Sequence, residues 1–259
     1  MLIVVKYGGN AMGAVAGDPL LSDLAAAVAD GVRVVLVHGG GPQIDQALLG
    51  SPQRRVAGLR VTDERALGVI ERVLCASVNK ALVRALSALG VCAVGVSGQD
   101  GALLTAEPAA PIGGESLGLV GEHPRVDPRL LVALLDAGFT PVVAPLAVSS
   151  DGTTALNVNA DTAAGAIAGA LGADAYVNAT NVDRVLLRLD DPASALSRIS
   201  AQDARTNVAR GNFAGGMQPK IESALDALER GARSAIICGS GAGVLRSALT
   251  GEAGTTVAS

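Results

Sequence analysis

Short continuous apolar runs rich in valine and isoleucine recur along the chain, and longer alanine- and leucine-rich stretches separate them. Such runs are typical of parallel strands buried on both faces, and the stretches between them have the length of helices. The pattern predicts strands near 2–6, 32–37, 90–96, 140–144, 174–179 and 233–238. It predicts helices near 18–30, 42–49, 63–88, 127–137, 160–171, 217–231 and 242–249. This alternation indicates an α/β fold whose mostly parallel sheet is covered on both faces.

Two segments lack this pattern. Residues 105–122 are rich in proline and glycine, and we expect loops or short hairpin strands over the sheet edge. Residues 184–216 are predicted to be irregular. A boundary near residue 172 would divide the chain into lobes 1–172 and 173–259, although no linker composition marks it.

Composition narrows the classes of function. The 259 residues are 49% hydrophobic and carry a net charge of −4, with two Tyr, two Phe and no Trp. A nucleic-acid binder would be basic or would offer aromatic stacking surfaces, so we expect no nucleic-acid partner. No apolar run approaches the roughly 18 residues of a membrane span, and no secretory leader precedes the first strand, so we expect a cytoplasmic protein without membrane contact. His38 and His123 do not combine with the three cysteines at zinc-site spacing, and we predict no protein metal site.

Two glycine-rich turns follow the first two predicted strands: KYGGN at 6–10 and HGGGP at 38–42. Glycines let backbone N–H groups approach an anion, and a following helix adds a favourable dipole. Because ligands bind at the carboxyl ends of parallel strands, both turns are expected to face one crevice. The pair favours a phosphate site, although either turn alone is also consistent with a simple tight turn.

Three further segments carry candidate chemistry. Arg60, in GLRVTD, offers a fork for a carboxylate, or is a solvated arginine near a helix start. Asn157 and Asp161, in ALNVNAD, form a polar group before a helix that either caps it or meets a ligand. Gly216 and Lys220, in GGMQPK, open another helix. A lysine there opposes the helix dipole, which is consistent with an anionic ligand or with an ordinary surface position.

Together these segments resemble the amino acid kinase family, and within it the N-acetylglutamate kinases. The resemblance runs along essentially the whole chain, through residues 5–12, 37–44, 58–63, 78–80, 117–121, 157–161 and 216–220. It implies an open, mainly parallel sheet in an αβα sandwich. It also implies that lobe 1–172 binds the acyl amino acid and dimerises, while lobe 173–259 binds ATP.

The implied reaction moves the γ-phosphoryl group of ATP to the side-chain carboxylate of N-acetyl-L-glutamate, a step of arginine biosynthesis. A carboxylate needs no general base, so the site has to supply alignment and charge neutralisation. By resemblance, Lys6 and Lys220 stabilise the moving group and Asp161 holds the two lysines. Mg²⁺ would be held by the nucleotide phosphates and water.

The remaining site residues also come from the resemblance. Gly40 and Gly41 would donate N–H groups to the phosphoryl group, and Arg60 and Asn157 would bind the two ends of the substrate. The positions implied for the nucleotide cofactor are Gly8, Gly9 and Gly216.

The chain also departs from the family pattern. Asn181 stands where the family has an acid, and Arg184 stands where it has a glycine, which leaves the nucleotide contacts open. The extra N-terminal helix of arginine-inhibited members is absent from the sequence, so we expect a homodimer that arginine inhibits little or not at all.

The sequence leaves two alternative functions open. A kinase for an amino acid carried on a small acidic protein would use Arg54, Arg55, Arg60 and Arg65 as a basic rim. A non-catalytic sensor of nucleotide or amino acid would explain the departures, but it would not need a lysine pair suited to a transition state.

Overall fold

One eight-stranded sheet forms the centre of the protein in the computed structural model, which describes residues 1–8, 15, 17–51, 53–188, 191–213 and 215–258. In spatial order its strands are β12 (Arg198–Ser200), β14 (Thr255–Ala258), β13 (Ala235–Cys238), β11 (Ala175–Ala179), β1 (Leu2–Tyr7), β2 (Arg33–His38), β8 (Thr140–Ala144) and β5 (Ala93–Ser97). The six predicted strands are all present and run parallel to one another. Only the pair β13–β14 is antiparallel, so the sheet is mainly parallel, as predicted.

Alternating side chains of the central strands enter two separate hydrophobic cores. Val4 and Tyr176 belong to one core, while Ile3, Val5 and Val177 belong to the other. Successive residues of a strand point to opposite faces, so a strand apolar at every position needs cover on both. Nine helices among the described residues supply it, and the αβα sandwich is therefore confirmed.

The helices divide between the two faces. One core contains side chains from α5 (Arg129–Asp136), α6 (Ala160–Ala170), α7 (Ala201–Ala209) and α8 (Gln218–Glu229). The other contains side chains from α1 (Pro19–Ala29), α2 (Gly41–Ala47), α3 (Glu64–Glu71), α4 (Asn79–Ala88) and α9 (Val244–Leu249). Short 3₁₀ turns lie at Asp100–Ala102, Pro192–Ser194 and Gly215–Met217.

The predicted helix 63–88 is not one α-helix. A π-helix, Arg72–Val78, separates α3 from α4, and the N–H of Asn79 donates to the carbonyl of Leu74, five residues back. The apolar spacing is compatible with both windings, so the sequence pattern did not reveal the wider turn.

Four short strands close on themselves beside the main sheet. They are β6 (Leu104–Pro108), β7 (Val120–Val126), β9 (Leu146–Ser149) and β10 (Ala155–Val158). The antiparallel pair β6–β7 accounts for the hairpin strands expected within 105–122. A two-stranded hairpin of β3 (Arg55–Val56) and β4 (Leu59–Arg60) lies nearby.

The prediction that 184–216 is irregular is wrong in part, because β12 and α7 lie there. Few apolar residues mark α7. Its helix begins where Ser200 Oγ accepts a hydrogen bond from the N–H of Asp203, and it buries Ala201 and Ala204. Capping and two small contacts are weak signals in a sequence.

Strands from before and after residue 172 occupy opposite halves of the sheet. They meet where β1 pairs with β11 over five residues. The division into lobes 1–172 and 173–259 stays a prediction. Within the described part of the chain, none of the helices has the length and apolar character needed to cross a membrane.

Candidate active site

A cavity of about 240 Å³ lies at the carboxyl ends of β1 and β2, where the two glycine-rich turns were expected to meet. Seven of the ten predicted site residues line it: Lys6, Gly40, Gly41, Arg60, Asn157, Asp161 and Lys220. They come from β1, the turn into α2, β4, β10, α6 and α8, which are far apart in the sequence.

Asp161 interacts electrostatically with both lysines of the cavity. Its Oδ1 is 3.1 Å from Lys6 Nζ, and both side chains are almost fully buried. Burial alone would raise the pKa of Asp161, but the charges of Lys6 and Lys220 and a hydrogen bond from Asn178 outweigh it, so the pKa lies below its usual range. Asp161 is therefore ionised at neutral pH and offsets the repulsion between two ammonium groups.

The start of α6 leaves this carboxylate available. Asn159, not Asp161, caps the helix, because Asn159 Oδ1 accepts from the N–H groups of Asp161 and Thr162 at 2.7 and 3.3 Å. The alternative that Asp161 is the cap is therefore wrong. As the second residue of the helix, Asp161 also interacts favourably with the helix dipole.

Lys220 lies in the first turn of α8, as predicted, and its side chain is partly buried. Desolvation lowers the pKa of Lys220, the charge of Asp161 opposes that shift, and Lys6 adds to it. An ammonium held against both burial and a helix dipole is favoured when an anion enters the cavity.

The buried ring of His38 holds the second glycine turn in place through a hydrogen bond. Its Nδ1 lies 2.8 Å from the carbonyl of Gly39, and Asn79 Nδ2 donates to its Nε2 at 3.1 Å. Burial lowers the pKa of His38 to about 4, so the ring is neutral at pH 7 and Nδ1 carries the hydrogen. Since the N–H of Gly40 points opposite to the carbonyl of Gly39, this bond directs that N–H away from His38.

Close packing requires glycine at two positions in these turns. A Cβ on Gly40 would lie 2.6 Å from Leu74 Cδ2, and one on Gly8 would lie 2.8 Å from the backbone of Gly39. The two turns therefore touch, and the N–H of Gly39 donates to the carbonyl of Tyr7. Beyond its own stretch of chain, no atom of the described residues lies within 4 Å of a Cβ built on Gly41, which lines the cavity.

Arg60 is buried and held at both ends of its guanidinium fork. Nη1 donates to Gln53 Oε1, and Nη2 donates to Asp45 Oδ1, each at 2.5 Å. Asn157 Nδ2 donates to Thr62 Oγ1 at 3.2 Å. Arg60 is therefore not a solvated arginine, and its orientation toward the cavity is set before a substrate arrives.

The three remaining predicted positions lie outside this lining. Gly8 is buried under the second turn, Gly216 lies exposed in the turn before α8, and Gly9 lies outside the described residues. Their assignment to the nucleotide stays a prediction.

A larger cavity of about 620 Å³ lies beside the first. Most of its lining is apolar and includes Val182, Phe213, Met217 and Val244, and Arg184 at its wall donates to the carbonyl of Glu252 at 3.1 Å. Met217 is the residue before α8 and lies three residues before Lys220, so the start of this helix reaches from one cavity to the other. Within the described residues, no group of three or more His, Cys, Asp and Glu could hold a metal ion.

Sequence reasoning missed the residues that support the site. Asp45, Gln53 and Leu74 contact site residues, and Asn178 contacts Asp161. None lies in a glycine-rich turn or at a helix start. Only Asn178 had a signal, because an amide within the otherwise apolar strand 175–179 needs a buried partner.

Comparison with known proteins agrees with this architecture. Residues 1–239 match the model of the amino acid kinase family. Acetylglutamate kinase from Methanopyrus kandleri is 46% identical, over 90% of this chain and 93% of that protein. Its counterpart from Brevibacillus brevis is 42% identical, over 99% and 96%.

A solved structure extends the comparison. The structure of N-acetylglutamate synthase from Neisseria gonorrhoeae, complexed with coenzyme A and N-acetyl-glutamate, has a TM-score of 0.84 and 29% identity to this chain. The match covers 100% of this chain and 59% of that one. By its motifs, its fold and these relatives, the chain belongs to the amino acid kinase family.

Proposed function

We propose that the protein transfers the γ-phosphoryl group of ATP to the side-chain carboxylate of N-acetyl-L-glutamate, giving N-acetyl-L-glutamyl 5-phosphate and ADP. The observation that carries this proposal is the cluster of Lys6, Asp161 and Lys220 beside the turn at Gly40 and Gly41, in one cavity. The names of the relatives give the acyl amino acid.

The chemistry needs alignment and charge stabilisation. A carboxylate oxygen of the substrate forms a bond to the γ-phosphorus while the bond to the β,γ-bridging oxygen breaks, and ADP takes the electron pair. Two ammonium groups and two backbone N–H groups stabilise the negative charge on the phosphoryl oxygens. The negative charge of Asp161 offsets the repulsion between the two ammonium groups before the substrates bind.

Arg60 and Asn157 suit the two polar ends of the acyl amino acid. The guanidinium has five N–H groups, and those that do not donate to Gln53 and Asp45 suit the α-carboxylate, while an amide can bond the acetamido group.

The basic rim gives the carrier-linked alternative weak support, because intramolecular ion pairs offset part of its charge. Arg54 pairs with Glu115. Arg55 and Arg60 share the single carboxylate of Asp45.

The nucleotide would occupy the larger cavity, with its base against apolar side chains and its phosphates toward the first turn of α8. Mg²⁺ bound to those phosphates would offset their charge. We further propose that the protein is a homodimer that arginine inhibits little or not at all, as the family resemblance implies. We also propose that it lies in the cytoplasm.

Hydroxylamine trapping of acyl phosphate, with MgATP and free N-acetyl-L-glutamate, tests the proposal. We expect robust product, and a kcat about 10²–10³ lower for Lys220→Met with a much smaller change in KM. Arg233→Met is the control, because Arg233 pairs with Asp174 at the opposite end of the sheet and should leave kcat unchanged.

Absence of acyl phosphate from the wild-type protein would contradict the proposal. A ligand response that survives Lys220→Met without any turnover by the wild type would favour the sensor instead.

A further inference from the structure

A chain of buried polar side chains lies behind the lysine cluster. Asn178, in β11, is fully buried and is the register partner of Lys6 on β1, so both side chains leave the sheet on one face. Asn178 Nδ2 donates to Asp161 Oδ1 at 2.6 Å and to the hydroxyl of Tyr176 at 3.2 Å. One amide hydrogen of Asn178 therefore bonds the site residue Asp161, and the other bonds Tyr176 in the same strand.

The chain continues to the helix that carries Lys220. Tyr176 Oη is 3.0 Å from Ser223 Oγ, and Ser223 Oγ donates to the carbonyl of Lys220 at 2.9 Å. With the serine hydrogen on that carbonyl, the tyrosine donates to the serine and accepts from the amide. Burial raises the pKa of Tyr176 well above its usual value, so the hydroxyl keeps the hydrogen that this order requires.

Burying these polar side chains lowers the stability of the folded protein unless their hydrogen bonds compensate. Asn178, Tyr176 and Ser223 lie in an interior that apolar side chains would fill, and desolvating a hydroxyl or an amide costs free energy. The amide oxygen of Asn178, Oδ1, has no hydrogen-bond partner within the described residues. We therefore expect this buried polar network to hold its side chains, and the groups bonded to them, in one geometry.

We propose that Asn178, Tyr176 and Ser223 are positioning residues, which hold the carboxylate of Asp161 at a fixed place relative to the first turn of α8 and its Lys220. The inference rests on the proposed function. Asn178 acts on Asp161 directly, while Ser223 acts on the main chain of Lys220. The hydroxyl of Tyr176 connects these two residues, because it bonds both the Asn178 amide and the Ser223 hydroxyl.

Steady-state kinetics of three variants test whether these residues position the site. Asn178→Leu keeps the volume and removes the amide, and we expect kcat to fall about 10- to 100-fold, the range seen for residues that orient metal ligands. Tyr176→Phe and Ser223→Ala each remove one hydroxyl, and we expect a loss of about fivefold, the factor that one hydrogen bond contributes. KM for both substrates should change little in all three.

Ser234→Ala is a matched control. Ser234 Oγ donates to the carbonyl of Asp174 at 2.9 Å, the same kind of bond that Ser223 makes to Lys220, but it lies at the other end of β11 and β13. This variant should keep the wild-type kcat. Thermal melting of all four variants ensures that the compared proteins are folded.

A titration of the Asp161 carboxyl carbon by NMR gives a readout independent of turnover. The groups facing this carboxylate are Lys6 from β1, Lys220 from α8, and Asn178 and Tyr176 from β11. We expect its pKa to rise in Asn178→Leu and to stay at the wild-type value in Ser234→Ala.

The outcomes separate the two proposals. A wild-type protein that forms acyl phosphate, with an unchanged kcat in Asn178→Leu, Tyr176→Phe and Ser223→Ala, overturns the positioning role. A wild-type protein that forms none overturns the proposed function, and the Asp161 titration then decides alone whether Asn178 positions this carboxylate.

Discussion

At the scale of single residues, His38 shows how a buried titratable group shapes the site without entering it. Its ring links the second glycine turn to α4 through Gly39 and Asn79. A second hydrogen on the ring would have to displace the bond from Asn79, and burial disfavours the added charge. The turn is therefore held in its observed form only while the ring is neutral.

This neutrality predicts a pH dependence of stability. The unfolded chain binds a proton on His38 below its ordinary pKa of 6.5, whereas the folded protein does so only near pH 4. Stability from this group is thus complete above about pH 7 and is lost as the pH falls from 6.5 toward 4. We expect the free energy of unfolding to drop by about 2 kcal/mol between pH 7 and pH 5.

Urea unfolding at both pH values measures this drop. His38→Gln should remove most of it, while His123→Gln, which replaces the other histidine at an exposed position, should keep it. An equal pH dependence in the wild type and His38→Gln would show that other groups cause the drop.

At the scale of elements, the close crossing of α6 and α8 brings their first turns together. A Cβ on Gly165 would lie 2.8 Å from the carbonyl of Ser223, and one on Gly169 would lie 2.2 Å from Arg230 Cβ. Both glycines lie inside α6, where glycine is otherwise unfavourable. They allow a helix separation that puts Asp161 and Lys220 in one cavity.

Gly165→Ala is therefore expected to destabilise the protein by about 1–2 kcal/mol, because overpacking outweighs the gain in helix propensity. It should also lower kcat by moving α8. Gly68→Ala is the matched control in α3, where a Cβ meets, among the described residues, only the Arg72 side chain at 3.7 Å. That substitution should stabilise by about 0.5–1 kcal/mol.

Chemical denaturation and steady-state kinetics on both variants measure these effects. Stabilisation by Gly165→Ala would mean that the two helices have room to separate without cost.

At the scale of the whole molecule, the sheet joins both halves of the chain into one structure. The β1–β11 pairing lies in the middle of the sheet, and each hydrophobic core takes side chains from before and after residue 172. Neither half can unfold or separate from the other without exposing apolar side chains of both cores.

We therefore expect a single cooperative thermal transition in place of two. Scanning calorimetry should give a calorimetric enthalpy close to the van't Hoff enthalpy. Two resolved transitions would indicate that 1–172 and 173–259 unfold as independent lobes.

Local signals in the sequence were sufficient for six of the eight strands of the main sheet and for seven residues of the cavity lining. Lys6, Gly40 and Lys220 lie where a strand ends or a helix begins, and parallel topology brings such positions together. The roles of Asp45 and Asn178 depend on contacts with residues distant in the sequence, which no local pattern encodes. The strands β9 and β10 have four residues each, too few to show a period.

The π-helical turn at Arg72–Val78 has a consequence for how the chain tolerates insertions and deletions. Leu74 packs on Gly40 while Asn79, five residues later, bonds His38. On an α-helix, residues five apart point about 140° away from each other. An α-helical winding of the same residues would therefore turn one of the two side chains away from the glycine turn. Loss of one residue would leave them four apart, about 40° from each other on an α-helix, so both could still face the turn. During divergence, a one-residue deletion here is therefore expected to be tolerated better than a one-residue insertion.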